Sequence, residues 1–446
     1  MSNSPEYAPA PAATSRTRRI LLALWAALTV LTVAFVFSLG SNCPNADEWE
    51  FVPALLNREP LGPWLWAQHN EHRLPLPRFL YWFLFQFTHD FRAGSLLQIA
   101  ILSATSLAMM SLAARLRGAP HWADAFFPVS LLHVGHWENL LIGYNICFAF
   151  ILALEAAIGA IAICTTRENA FRSGCLAGVL LCLLCLCGGG GVVTAIPVAA
   201  WLAYLAIGFT KSNPARTAIL LAFAAFPAFY LALYLHGYHK PGHHPDVGEG
   251  GTDVLRVAAQ VLSIGFGSGT FRWWLPISTG LLVLGAATFR LVLRSMNRPA
   301  MLGTFSIFAG IIGVALVIGM GRAGIDPRYG VASRYSYLTW PLLALVYMLW
   351  AREHSRAGKW IPVAMCLAAS LFFIPNMATG MKRGWEVKQG LLRIESESLA
   401  GSPPEVIVRL FSEKPCLFQL GQEQRAVRAM PMLREAGIGA FAEARP

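Results

Sequence analysis

The chain has 446 residues, of which 56% are hydrophobic and only 13% are charged, and its net charge is +11. Soluble domains carry about 25% charged residues, so this composition excludes an ordinary soluble globular domain. The positive charge does not indicate nucleic-acid binding, because lysine and arginine in a membrane protein set its orientation. We therefore predict an all-α polytopic membrane protein, with membrane lipids and no nucleic acid among its partners.

Apolar runs recur along the chain, and each is long enough to cross a hydrocarbon core of ~30 Å as a helix. The first run is longer than the apolar part of a signal peptide and is interpreted as a retained span. Eleven spans are predicted, at 20–40, 93–114, 122–134, 146–166, 174–188, 191–210, 216–236, 274–294, 301–320, 336–351 and 360–376. The predicted regions are an N-terminal tail (1–19), a transmembrane domain (20–376) that includes a first outer loop (41–92), and an outer C-terminal segment (377–446).

Basic residues are concentrated in alternate short loops, which predicts an N-terminus on the cytoplasmic side. The short cytoplasmic segments then contain Arg16, Arg18, Arg19, Arg115, Arg117, Arg167, Arg172, Lys211, Arg216, Arg290, Arg294, Arg298, Arg352, Arg356 and Lys359. Histidine was not used in this assignment and agrees with it. Only His121 and His354 lie on the inner side, and the other nine histidines lie in or beside outer loops. We therefore expect the working surface on the outer face.

The first outer loop combines aromatic anchors with many ionisable groups. Asp47 and Glu48 follow the first span closely and should lie near the membrane surface. "EWEFVPALLN" and "LGPWLWAQHN" are typical of interfacial helices, and "RFLYWFLFQF" is too short to span and should lie flat. An amphipathic apron that seals the helix ends would explain the tryptophans. It would not explain the ionisable groups of "QHNEHRLPLPR", which cost free energy near lipid and are usually kept for function.

Two further outer segments carry unexpected polar groups. "LLHVGHWENLLIGYNI" (131–146) joins two spans, and Glu138 in this apolar context is hard to explain by structure alone. "GMGRAGIDPRYGVASRYSYLTW" (319–340) places Arg322, Arg328 and Arg334 against the positive-inside bias. These arginines could bind phosphate oxygens through their planar donor fork, or they could pair with Asp326, Glu48 or Glu138 as clasps between loops.

The outer stretch "HGYHKPGHHPDVGEGGTD" (236–253) raises the question of a metal site. It contains His236, His239, His243, His244 and Asp246. Its glycine and proline content is typical of a mobile loop, whereas structural metal sites hold their ligands in fixed geometry. A loop that closes over a substrate is the preferred interpretation, and a divalent cation is kept as the alternative.

Four stretches together resemble a known superfamily. An inner N-terminus, one span, and a large outer loop that opens with an acidic pair resemble the GT-C glycosyltransferases, which use lipid-phosphate-linked sugars. "ADEWEFVP", "QHNEHRLPLPR", "GHWENLLIGYNICF" and "GVASRYSYLTWPLL" are similar to a group of bacterial membrane proteins related to them. These stretches cover about a seventh of the chain, and the rest matches only in span pattern. The resemblance implies a GT-C-like fold in a bacterial inner membrane.

The resemblance also implies an activity, the transfer of a sugar from a polyprenyl-phosphate-linked donor to a glycan, lipid or protein acceptor at the periplasmic face. It makes Asp47, with the adjacent Glu48, the candidate catalytic base for an acceptor hydroxyl. The candidate substrate-binding residues are His69, Asn70, Glu71, His72, Arg73, Arg78, His136, Glu138, Asn139, Tyr144, Arg322, Arg334 and Tyr335. Alanine at Asp47 or Arg73 is expected to abolish transfer. The chain has no DxD or ExD motif, so no cofactor is required.

Two other function classes stay open. A transporter or flippase for an anionic lipid or sugar would use similar basic outer loops, but it should show ionisable residues at mid-membrane and an internal repeat. Glu155 lies deep inside a predicted span, and "CGGGGVV" (187–193) is interpreted either as a broken helix or as a tight hairpin. A non-catalytic scaffold is the third class. A cavity at the outer face that joins Asp47, the histidines and Arg334 favours the enzyme, and a path across the membrane favours transport.

Overall fold

The computed structural model describes residues 12–240, 250–326, 328–411 and 423–443. Within these ranges the chain is helical, and the β-structure consists of one isolated bridge, between His69 and His72. The α-helices are α1 (Ala12–Leu39), α2 (Glu48–Leu55), α3 (Leu61–Trp66), α4 (Pro75–Thr88), α5 (Arg92–Arg117), α6 (Phe126–Leu131), α7 (Trp137–Leu140), α8 (Ile146–Ile163), α9 (Ala170–Cys185), α10 (Gly189–Ile207), α11 (Pro214–Leu235), α12 (Gly251–Ser263), α13 (Trp274–Ser295), α14 (Arg298–Arg322), α15 (Ser336–Arg352), α16 (Arg356–Leu399), α17 (Pro404–Phe411) and α18 (Glu423–Ala436). Short 3₁₀ turns lie at Trp122–Ala125, Val134–His136, Gly143–Asn145, Ile264–Phe266, Ser268–Trp273, Tyr329–Val331, Ser333–Tyr335 and Gly439–Glu443.

Eight helices of the described chain are long and apolar enough to cross a membrane, namely α1, α5, α8, α10, α11, α13, α14 and α16. The molecule is therefore an all-helical membrane protein, as the composition predicts. Three of the eleven predicted spans fall on shorter elements. Helix α9 has 16 residues, helix α15 has 17 residues, and the predicted span 122–134 is not a continuous helix.

The broken segment 122–136 corrects the third predicted span. It consists of a 3₁₀ turn, the six-residue α6 and a second 3₁₀ turn, and it lies alongside the buried helix α15. Polar contacts join the two along their length: the Tyr347 hydroxyl donates to Asp124 (2.8 Å), the Trp340 ring N–H donates to Ser130 (2.9 Å), and His136 Nδ1 contacts the Ser336 hydroxyl (2.8 Å). Where the helix is broken, the Gly135 carbonyl accepts hydrogen bonds from the hydroxyls of Ser268 (2.6 Å) and Ser333 (3.2 Å), so this freed backbone group is satisfied within the protein.

The longer helices of the bundle define two ends of the molecule. At one end, here called the basic end, helices α5, α8, α10, α13 and α15 finish and helices α9, α11, α14 and α16 begin. Contacts hold this end together, such as the amide of Asn297, which donates to the Thr165 carbonyl (3.0 Å), and the ring N–H of Trp201, which donates to the Pro299 carbonyl (2.9 Å). The opposite end carries the loop of residues 41–92 and is here called the first-loop end.

The first loop contains the three short helices that its composition predicts, α2, α3 and α4. Helix α4 buries Tyr81 and Phe85 on one face and exposes Phe79, Phe83 and Phe87 on the other. This amphipathic pattern is typical of a helix that lies in the membrane interface.

The glycine run between α9 and α10 forms a tight turn. Gly188 has a φ of +112°, which favours glycine, and a Cβ atom on Gly191 would lie 2.0 Å from the Leu184 carbonyl oxygen. Of the two interpretations of "CGGGGVV", the structure has the hairpin.

Two helices depart from the sequence expectations. The predicted eleventh span ends at residue 376, but α16 continues to Leu399 and has 44 residues, a length of roughly 66 Å. Helix α12 was not predicted, because its segment carries a single apolar face and follows a loop rich in glycine, proline and histidine. That face, with Val257, Ala258 and Val261, is buried, mainly against α14.

Candidate functional site

The three polar segments that the sequence singles out meet at the first-loop end. Glu71 of the first loop forms an ion pair with Arg322 at the end of α14. Arg334, just before α15, pairs with Glu138 in the second segment (2.7 Å). The ring of Tyr144 packs edge-on against His69 of the first loop, with centroids 5.4 Å apart. Segments distant in sequence therefore form one polar cluster.

Two carboxylates of the acidic stretch lie on either side of one imidazole. Asp47 stands at the N-cap position of α2 without capping it through its side chain, and its Oδ2 lies 3.6 Å from His69 Nε2. Glu50, three residues later on the same helix face, accepts a hydrogen bond from His69 Nδ1 (2.9 Å). The Asp47 side chain is 17% exposed, whereas that of His69 is 4% exposed. His69 is thus a buried imidazole between two partly exposed carboxylates, since the Glu50 side chain is 21% exposed.

The charge of His69 follows from these contacts. Burial lowers the pKa of His69, but hydrogen bonds to Asp47 and Glu50 and the charges of both carboxylates raise it more, to about 9. Burial raises the pKa of Glu50, but the hydrogen bond from His69 and the charges of His69 and Arg425 bring it below its ordinary value. At neutral pH an imidazolium therefore lies between two carboxylates.

A tight turn fixes His69 and its neighbours. The backbones of His69 and His72 exchange two hydrogen bonds of 2.8 Å, and Asn70 takes the left-handed conformation with a φ of +49°. Asn70 also contacts His69 Nε2 (3.3 Å), and the Tyr234 hydroxyl donates to the Glu71 carbonyl (2.7 Å). The turn presents His69 to α2 and Glu71 to Arg322.

Glu48 has an environment quite unlike that of Asp47. It is buried, and its carboxylate accepts hydrogen bonds from the Tyr81 hydroxyl (2.6 Å), the Asn45 amide (2.9 Å) and the Tyr144 amide (3.3 Å). Burial raises the pKa of Glu48 to about 7, although these hydrogen bonds oppose the shift. A cavity of about 10 Å³, room for one water molecule, lies beside it. These contacts favour an anchoring role for Glu48 rather than contact with a substrate.

Arg73 and Arg78 hold the backbone of the first loop. Arg73 donates to the carbonyls of Trp66 (2.7 Å), Tyr234 (2.9 Å) and His236 (2.8 Å), so it fastens the loop to the end of α11. Arg78 donates to the carbonyls of Trp64 and Ala67 and lies over the ring of Phe51. Both arginine side chains are buried inside the protein. In this structure both arginines clamp backbone carbonyls, whereas the sequence analysis places them among the substrate-binding candidates.

The arginines of the third segment form clasps. Arg322 pairs with Glu71, Arg334 pairs with Glu138, and the exposed Arg328 lies 3.6 Å from Asp326. Both Arg322 and Arg334 lie over the ring of Tyr329, and Arg334 also donates to its hydroxyl (2.8 Å). The structure contains these ion pairs, and phosphate binding by the arginines stays a prediction. The Arg322–Glu71 pair is one that the sequence did not suggest.

The remaining candidates contribute to packing around these groups. His136 is buried, stacked on His133 with centroids 4.1 Å apart. Asn139 donates to the Arg334 carbonyl (3.2 Å), and Arg334 lies over the ring of Tyr335 with its guanidinium carbon 5.4 Å from the centroid. His72 is partly exposed and close to Gly189, where a Cβ atom would lie 3.1 Å from its Nδ1.

Three residues of this cluster were missed by sequence reasoning, namely Glu50, Tyr329 and Arg425. Glu50 had a usable signal, since it follows Asp47 by three positions in a predicted helix and therefore shares its face. Arg425 had none, because it reaches Glu50 from the C-terminal segment, 375 residues away along the chain.

Neither metal binding nor substrate access is evident in the described geometry. Within the described ranges, no group of three His, Cys, Asp or Glu residues is arranged to hold a metal ion, while residues 241–249 of the histidine-rich stretch lie outside these ranges. A cavity of about 390 Å³ lies between α17 and α18, and a cavity of about 10 Å³ lies beside Glu48. Neither is the expected cavity that joins Asp47, the histidines and Arg334, because none of these residues lines them.

No family model, curated protein or solved structure matches this chain. The resemblance to GT-C enzymes therefore rests on the four sequence stretches alone.

Proposed function

We propose that this protein is a membrane glycosyltransferase that moves a sugar from a polyprenyl-phosphate-linked donor to an acceptor at the outer face of a bacterial inner membrane. The observation that carries the proposal is the position of Asp47. Its partly exposed carboxylate lies at the first-loop end beside a protonated His69, within one polar cluster with two arginine clasps. Such a density of ionisable groups next to lipid is costly and is usually retained for function.

In the proposed reaction Asp47 accepts the proton of an acceptor hydroxyl as that oxygen bonds to the anomeric carbon of the donor sugar. The bond from the anomeric carbon to the phosphate oxygen breaks, and its electron pair leaves with the polyprenyl phosphate. The transition state has oxocarbenium character, so a carboxylate near the anomeric carbon also stabilises it electrostatically.

Arg322 and Arg334 are the proposed partners of the donor phosphate. In the structure Arg322 pairs with Glu71, and Arg334 pairs with Glu138. A phosphate group can replace a carboxylate as the partner of a guanidinium group. Donor binding would then open the clasps and release the loops around Tyr329. Arg73 and Arg78 are assigned the separate task of holding the first loop in shape.

The proposed orientation places the N-terminus in the cytoplasm and the first-loop end outside. The C-terminal segment packs on α2, so it lies at the opposite end from the start of α1, and the number of crossings is odd. The eight long helices with α9 and α15 give ten crossings. The broken segment 122–136 runs from the basic end to the first-loop end and supplies the eleventh.

A transporter remains the second candidate, and one observation favours it. Glu155 in α8 is buried, accepts a hydrogen bond from the Thr194 hydroxyl (2.6 Å) through Oε1, and has no hydrogen-bond partner for Oε2 within the described chain. An ionisable residue of this kind in the membrane interior is typical of ion or proton pathways.

The test uses purified protein in proteoliposomes with radiolabelled polyprenyl-phosphate hexose and pentose and an envelope extract as the acceptor source. Asp47→Asn should lower label transfer at least about 100-fold, because a general base contributes that much or more. Asp90→Asn is the matched control, since Asp90 is a first-loop aspartate paired with Arg92 (2.6 Å).

Full transfer by Asp47→Asn contradicts the proposal. Movement of intact donor across the bilayer that survives Asp47→Asn but is lost in Glu155→Gln supports the transporter instead.

A further inference from the structure

The C-terminal segment lies against the acidic helix of the first loop. Helix α18 packs on α2, the rings of Trp49 and Phe441 meet edge to face with centroids 6.3 Å apart, and Arg58 pairs with Glu435 (2.7 Å). A Cβ atom on Gly439 would lie 2.2 Å from the Asn42 carbonyl oxygen, so the backbones approach closely there. These contacts fix the segment without involving Glu50.

Helix α18 has the pattern of a docked amphipathic helix. Its buried residues are Ala426, Ala429, Met430 and Leu433, which recur at the spacing of one helical face. Arg425 stands at the edge of that face, and docking brings its guanidinium to the Glu50 carboxylate.

One oxygen atom connects the segment to the site. Glu50 Oε2 is the atom that contacts Arg425 and also the atom that accepts the hydrogen bond from His69 Nδ1. The other ring nitrogen of His69 faces Asp47. Because an imidazole ring is rigid, the position of the Glu50 oxygen sets the direction in which Nε2 points.

We propose that Arg425 is a positioning residue for Asp47: it holds Glu50, and Glu50 orients the His69 ring toward the Asp47 carboxylate. The inference rests on the proposed function, in which Asp47 is the base. It extends that function to the C-terminal segment, which the sequence analysis treats as a separate region. The alternative is a surface clasp that only fastens the segment, and such pairs contribute little to stability.

The two alternatives predict different effects of Arg425 on the protonation of His69. His69 and Arg425 share one carboxylate oxygen, and the other charged groups around Glu50 and His69 are Asp47 and Arg78. Without the Arg425 charge, the Glu50 carboxylate interacts only with His69 and Arg78, and the repulsion between His69 and Arg425 is removed. Both effects favour the protonated imidazole.

The experiment is a histidine titration of the full-length protein in nanodiscs, with ¹³C-labelled histidine rings followed by NMR and the His69 signal assigned with His69→Gln. Arg425→Gln should raise the titration midpoint of His69 by roughly half a pH unit or more. Arg425→Lys keeps the charge and should restore most of the parent midpoint. Glu435→Ala is the matched control, because it removes the other ion pair of this interface without touching Glu50.

An Arg425→Gln midpoint equal to that of the parent overturns the inference, as does an equal shift in Glu435→Ala. The titration needs no turnover, so it is independent of the transfer assay. If His69 responds but no transfer is found, the proposed function fails and the Arg425–Glu50–His69 linkage stands. If transfer depends on Asp47 but His69 does not respond, only the linkage fails.

Discussion

Asp47 and Glu48 show how strongly two neighbouring carboxylates can differ. Asp47 points to His69 and is partly exposed, whereas Glu48 turns into the core toward Tyr81 and two backbone amides. Consecutive residues at a helix start point about 100° apart, so only one of them can face the loop while the other faces the bundle. The sequence marks the pair as important but does not distinguish the two roles.

The Glu48 environment predicts a pH-dependent stability. Its folded-state pKa of about 7 lies above its ordinary value, so its contribution is largest at low pH and is lost as the pH rises from about 4.5 through 7. Tyr81→Phe removes the donor at 2.6 Å, which matters most when Glu48 is ionised. We expect a loss of about 2 kcal/mol at pH 8 and clearly less at pH 5, measured by thermal unfolding in detergent.

Tyr144→Phe is the control for this substitution. Its buried hydroxyl has no hydrogen-bond partner within the described chain, so its removal should have little effect at either pH. Equal losses at pH 5 and pH 8 in Tyr81→Phe would contradict the assignment.

At the scale of helices, close packing depends on small residues. Helices α10 and α14 form an extensive contact, and Gly310 of α14 lies directly against Thr194 of α10. Membrane helices associate through such close approaches, because lipid is as apolar as their side chains. Thr194 also donates to Glu155, so its position links packing to the buried carboxyl group.

Gly310→Ala should destabilise the protein by about 1–3 kcal/mol, because the added Cβ atom would lie 2.7 Å from Thr194 Cγ2 and 2.8 Å from Thr194 Cα. The measurement is thermal unfolding in detergent. Gly285→Ala in α13 is the matched control, since nothing lies within 4 Å of its Cβ position, and it should be neutral or slightly stabilising. Unchanged stability in Gly310→Ala would mean that the two helices are packed less closely than the structure indicates.

The broken segment 122–136 and α16 show where helix prediction from hydropathy stops being reliable. Hydropathy measures only how long an apolar stretch is. It therefore predicts a span at 122–134 and ends the last predicted span at residue 376. Segment 122–136 can leave helical geometry because neighbouring segments supply hydrogen bonds to its backbone, as the Ser268 and Ser333 hydroxyls do to the Gly135 carbonyl. Helix α16 continues because lysine, glutamate and glutamine, which mark its exit from lipid, are good helix formers.

At the scale of the whole molecule, the C-terminal segment and the first loop share one side of the membrane. The contacts between α18 and α2 require this whichever side that is. The proposed topology of eleven crossings counts the broken segment as one of them, although it is not a continuous helix.

A labelling experiment in intact cells checks this topology. Glu59→Cys in the first loop and Glu405→Cys in α17 should react with a membrane-impermeant maleimide, whereas His354→Cys at the basic end should react only after permeabilisation. The parent protein, which has nine cysteines, gives the background. Labelling of Glu59→Cys and Glu405→Cys from opposite sides would contradict the packing of α18 on α2.

The sequence by itself determined the helical membrane class, most of the spans, the interfacial helices of the first loop and the polar segments that meet there. These properties follow from composition and periodicity, which act locally and along one helix at a time. The tertiary structure decided the roles of individual residues, with Asp47 at His69, Glu48 in the core, Arg73 on backbone carbonyls and Arg425 on Glu50. Those roles depend on which charges and donors lie within a few ångströms, and partners as far apart as residues 50 and 425 become neighbours only when the chain folds.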